Sequence, residues 1–120
     1  MAIEHARPAQ PVNISPLGEG LARSASHAIL KTHSLELMRI VLRAGQSLKP
    51  HKVYGEMTLL CIEGAVSLEV AGGGACEMRP WQLVLLPALA EYALQASQDT
   101  SLLMTVQTPP GMPGSGSSTA

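Results

Sequence analysis

Apolar and polar residues alternate most cleanly over residues 66–70, where Val66, Leu68 and Val70 are separated by Ser67 and Glu69. A period of two marks a strand with one buried face. Residues 35–43 alternate as well. Met38, Ile40 and Leu42 fall on one side, and Arg39 and Arg43 on the other, which Leu37 and Val41 share. Thr58 to Glu63 is a run of β-formers that stops at Gly64, and Leu83 to Leu86 is apolar on both sides. Residues 75–79, 92–96 and 102–107 complete the series, and His27 to Thr32 reads as a first strand or a short helix, the strand being favoured. Gly72-Gly73-Gly74 and Pro80-Trp81-Gln82 punctuate it as turns. No helical period persists, and there is no internal repeat. Short, evenly spaced strands divided by Gly and Pro turns predict an all-β sandwich or barrel.

The flanks have a different character. Pro8, Pro11 and Pro16 precede Gly18 and Gly20 without a periodic pattern. Residues 1–27 are therefore predicted to form an extended arm, laid across the barrel or across a partner subunit. The barrel is expected over 28–108. Residues 109–120, mostly Pro, Gly and Ser, read as a disordered tail.

Composition narrows the function classes. Of 120 residues, 46% are apolar and 14% charged, which favours a packed core over disorder. A net charge of -1 with no basic stripe argues against nucleic-acid binding. Trp81, Tyr54 and Tyr92 are the whole aromatic complement, so stacking platforms are scarce. No stretch approaches the roughly 20 apolar residues that span a bilayer, so no membrane partner is expected. The start, Met-Ala-Ile-Glu-His-Ala-Arg-Pro, lacks the apolar run of an export signal. A cytoplasmic address is the default, with Cys61 and Cys76 reduced.

The most informative stretch begins at Gly45. Five residues separate it from His51, Val53 follows one residue later, then Met57, and six residues on comes Gly64. After sixteen intervening residues, a second segment places Trp81, Pro87, Leu89, Tyr92 and Ala96 at defined intervals. These spacings resemble the two motifs of the cupin family, G-x5-H-x-H-x3,4-E-x6-G and G-x5-P-x-G-x2-H-x3-N. The resemblance covers about residues 28–107. It implies a cupin-like double-stranded β-helix, or jelly-roll, barrel in a small single domain that pairs as a homodimer. Apolar residues expected on outward faces, Leu37, Val41, Val84 and Leu86, fit that dimer.

In metal-binding cupins the two histidines and glutamate of the first motif join the histidine of the second to hold a divalent metal. Only His51 matches here. Valine cannot ligate, Met57 offers a soft thioether, and Tyr92 would ligate only as phenolate. Glu56 lies beside the glutamate position, and a bulge at Gly55 would turn it inward. A metal, if bound, would then use His51, Glu56 and Tyr92 or water. The favoured expectation has no cofactor. It is a metal-poor or metal-free barrel binding a small, largely apolar ligand near His51, Met57, Cys61 and Tyr92. The alternative is an isomerase- or dioxygenase-like cupin enzyme using His51 and Tyr92 as an acid–base pair, with or without a divalent metal. The bland counterpart of that pair is a Tyr–His hydrogen bond stapling the barrel. Cys61 reads as interior filler and Cys76 as structural. Trp81 is expected to cover a barrel end or pack on the arm. His5, His27 and His33 have no ligand spacing and read as surface residues.

Overall fold

The computed structural model describes residues 6–108, with the side chains of Pro50 and His51 outside the described set. The tail expected at 109–120, and His5, also lie outside the described residues. Among the described residues nine strands follow one another: β1 (His27–Lys31), β2 (Leu35–Leu42), β3 (Ser47–Lys52), β4 (Met57–Glu63), β5 (Val66–Val70), β6 (Gly74–Met78), β7 (Leu83–Leu86), β8 (Glu91–Ala96) and β9 (Thr100–Gln107). A 3₁₀ turn, Gly18–Arg23, precedes them. Five strands form one sheet in the order β1-β2-β9-β4-β7, and four form the other in the order β3-β8-β5-β6. Neighbouring strands pair antiparallel throughout. The chain repeatedly leaves one sheet for the other, as a jelly roll does.

Alternation decides what each strand buries. On the five-stranded sheet, the inward residues form levels across the ladder. Glu36, Val106, Met57 and Leu86 share one level, and Met38, Met104, Leu59 and Val84 the next. Ile40, Leu102 and Cys61 form the third. From the four-stranded sheet, Val66, Leu68, Tyr92 and Leu94 close the same core. Leu59 and Leu102 are fully buried, and truncating either to alanine is expected to cost roughly 2–5 kcal/mol.

The parity of β7 is opposite to the sequence expectation. Leu86 is buried and Val84 packs against the core, while Leu83 and Leu85 stand outward, 64% and 63% exposed. A run apolar at every position carries no alternation from which to read its register. The register is instead set by pairing, Met57 with Leu86 and Leu60 with Leu83. Val41, outward by parity, is covered rather than free.

The arm is tied to this same face. Leu21 of the 3₁₀ turn is buried, as are Arg39, Val41 and Ile62. Arg43 donates from Nε and Nη2 to the Ala22 carbonyl at 3.0 and 2.5 Å. The backbone N–H groups of Leu17 and Gly18 donate to the Glu63 carboxylate at 2.8 and 3.1 Å. Glu63 reaches this outer face because β4 bulges: Cys61 pairs with Leu102, but Glu63 pairs with Ser101. The extra residue reverses the facing of the strand end.

Candidate functional site

The candidate site lies where β8 faces the interior of the five-stranded sheet, at Tyr92 and Met104. Tyr92, on β8, is 1% exposed and donates its hydroxyl to Met104 Sδ at 3.6 Å, crossing the interior from one sheet to the other. Burial pushes its phenol up to about 12, because the phenolate would lose its water. Met57, 2% exposed, stands inward at the start of β4. The β3–β8 register sets His51 directly opposite Tyr92, and the His51 side chain is outside the described residues. Two loops frame this end: the N–H of Leu89 donates to the Val53 carbonyl at 2.9 Å, and Val53 is buried.

The donor set does not fit a hard divalent metal. Val53 and Met57 occupy two inward positions with an apolar side chain and a thioether, and Tyr92 is a neutral phenol at neutral pH. Glu56 does not turn in. The Gly55 backbone lies directly against the Gln107 carbonyl, and the Gln107 N–H donates to the Glu56 carbonyl at 2.9 Å. That crossing leaves the Glu56 carboxylate exposed and Met57 buried. Among the described residues, no three His, Cys, Asp or Glu side chains converge on a point that could hold a metal ion.

Cys61 is fully buried, two levels deeper than Met57, or roughly 13 Å along the strand. Desolvation pushes its thiol up, against a smaller opposing effect of its hydrogen bond to the Glu63 carbonyl. It is a poor nucleophile. Cys76 is exposed on β6 rather than structural. Trp81 is 64% exposed and so does little to cover a barrel end. His27 is partly buried, with Nδ1 3.0 Å from the Ala25 carbonyl, and His33 is exposed in the β1–β2 turn.

Sequence reasoning missed Glu36. It is 2% exposed on the inward side of β2, and its Oε1 has no hydrogen-bond partner. The signal was available, since Glu36 has the parity of Met38, Ile40 and Leu42.

The motif turns keep their backbone where they lose their glycines. Gly45 and Gly64 have φ of 86° and 87°. Trp81 and Leu89, at the two glycine positions of the second motif, have φ of 71° and 66°. No protein-family model matches the chain, and no curated protein matches its sequence. Its structure is similar to that of a cupin superfamily protein from Desulfitobacterium hafniense, at 11% identity and a TM-score of 0.71, covering 91% of this chain and 100% of that one. A conserved protein of unknown function from Streptococcus pyogenes aligns at 16% identity and a TM-score of 0.70, covering 92% of this chain and 100% of that one. A mutant of salicylate 1,2-dioxygenase from Pseudoaminobacter salicylatoxidans aligns at 18% identity and a TM-score of 0.63, covering 68% of this chain and 25% of that one. Likeness at such identities concerns architecture, and this chain has the architecture of the cupin double-stranded β-helix barrel.

Proposed function

We propose that the barrel is a metal-free module binding a small, largely apolar ligand, with Met57 and Tyr92 at the seat, His51 at the rim and Cys61 deeper. The interior methionines carry this reading. Met38 and Met104 are cross-strand partners, Met57 lies one level away, and the Tyr92 hydroxyl sits on Met104. Unbranched thioether side chains repack at low cost around guests of varied shape. The phenol supplies one polar handle. In a thermal-shift titration with benzyl alcohol and 1-butanol, the melting temperature should rise with probe concentration. In Met57→Trp, whose ring fills the seat, that rise should vanish. Failure of both probes to raise the wild-type midpoint would overturn the reading.

A second reading keeps His51 and Tyr92 as an acid–base pair, and the register that sets them opposite one another favours it. A phenol pushed up to about 12 acts as a donor, not a base, at neutral pH. Product analysis separates the two: a bound ligand recovered unchanged after long incubation supports the binding module, and a converted one supports the enzyme.

The proposal includes a homodimer through the outer face of the five-stranded sheet, where Leu103, Leu60 and Leu83 run side by side and Leu85 flanks them. A leucine patch of this kind is self-complementary about a two-fold axis. It also includes the cytoplasmic address, which the free thiols Cys61 and Cys76 suit.

A further inference from the structure

We infer that the barrel mouth recognises a small primary ammonium group carried on an apolar body, with Glu36 Oε1 and Thr108 Oγ1 as the receiving oxygens. This rests on the barrel-binding reading and adds the chemistry of the ligand's head. Glu36 is 2% exposed, and both oxygens are buried without a hydrogen-bond partner. Buried polar atoms in folded proteins are almost always paired, and a carboxylate left unpaired is among the costliest exceptions. Two such exceptions here are neighbours. Glu36 pairs across the ladder with Val106, and Thr108 lies two residues further on, its N–H bonded to the Ser34 carbonyl at 2.9 Å. Glu36 and Thr108 are thus diagonal neighbours, roughly 7 Å apart at the backbone. One ammonium has three donors and can reach both.

The surroundings select the class of ligand. Lys31, opposite Glu36 on β1, is exposed and forms no ion pair with it. β9 carries no charged residue, and β4 carries only Glu63, at its far end on the other face. No internal cation answers the carboxylate among the described residues. Two oxygens without a third convergent ligand are too few for a bound metal ion. Met57 and Val106, on the level of Glu36, offer the apolar wall for the ligand's body.

The test uses n-butylammonium, butyrate and 1-butanol on the full chain, read by calorimetry and thermal shift. Butylammonium should bind wild type at least ten-fold more tightly than 1-butanol, and butyrate should not bind. In the near-isosteric Glu36→Gln, butylammonium affinity should fall at least ten-fold while 1-butanol affinity stays within two-fold, and in Thr108→Val it should fall several-fold. If butanol binds but butylammonium binds no better, or if Glu36→Gln leaves butylammonium affinity unchanged, the ammonium inference fails and the apolar-ligand reading stands. If none of the three binds, both fail. Stabilisation by Zn²⁺ that Glu36→Gln abolishes would overturn the assignment in favour of a metal. Should a variant fail to fold, amide chemical shifts of wild type decide. Butylammonium should move the signals of Glu36, Val106 and Thr108, and changes confined elsewhere overturn the inference.

Discussion

At Glu63 one carboxylate gathers three donors from two distant parts of the chain: the Leu17 and Gly18 amides and the Ser101 hydroxyl, which accepts from Arg39 at 3.3 Å. Burial alone would raise its pKa. The Ser101 hydroxyl, the two amides and the charge of Arg39 outweigh it and hold the carboxyl below its ordinary 4.5. A depressed carboxyl stabilises the fold above the unfolded value and loses that contribution as pH falls through the folded one. Glu63→Gln should therefore be less stable than wild type at pH 7, and the gap should close below about pH 4.5; a gap that stays constant from pH 7 to pH 3 in urea melts would refute this. Tyr92 runs the other way. With its phenol raised to about 12, its contribution is intact below about pH 10 and fades above it. In Tyr54→Phe, which leaves Tyr92 as the lone tyrosine, ultraviolet titration should show no folded-state ionisation near pH 10, but a step at or above pH 11. At this scale, parity placed Met57 and Cys61 inside correctly. It could not place Glu63, because a bulge at Ile62 is not written in side-chain polarity.

Among the elements, the turns preserve a backbone that their side chains resist. An L-residue held in the left-handed region costs roughly 1–2 kcal/mol, and Trp81 and Leu89 both sit there. Leu89→Gly should therefore raise stability by about 1 kcal/mol, measured by urea denaturation. Gly64→Ala should lower it by about 2 kcal/mol or more, since its new Cβ would run into the Asp99 carbonyl oxygen as well as sit in a strained backbone. Gly45→Ala, with nothing within 4 Å, should cost less. Reversal of that order would refute the account. The strand series was legible because alternation and turn residues agree. β7 was not, since Leu-Val-Leu-Leu fits either register and only its partner β4 decides. The clamp on the arm was equally hidden, because the arm holds it with main-chain groups, the Leu17 and Gly18 N–H and the Ala22 carbonyl.

For the whole molecule, the outer face of the five-stranded sheet is divided. One part, where the arm bonds to Arg43 and Glu63, holds the buried Arg39, Val41 and Ile62, and the leucines of β4, β7 and β9 occupy the remainder. An exposed apolar patch on an edge strand invites association. Light scattering should give twice the chain mass at micromolar concentration, and Leu85→Lys should halve it without lowering the melting temperature of the isolated chain. A wild-type monomer under those conditions removes the dimer. The two-sheet winding could be inferred from motif spacing, because glycine turns fix where the chain changes sheet. The polar pair at the mouth could not, because Glu36 and Thr108 are 72 residues apart in the chain and meet only through the β2–β9 ladder.

Trp81 gives this chain an unusual optical property. As the only tryptophan, in a protein without phenylalanine, it dominates the intrinsic emission, yet it sits 64% exposed at the corner leading into β7. Its emission should be red-shifted in the native state and change little when the barrel melts. Whatever docks beside Leu83 will quench or blue-shift it instead, so the fluorescence of this protein reports on its company rather than on its folding.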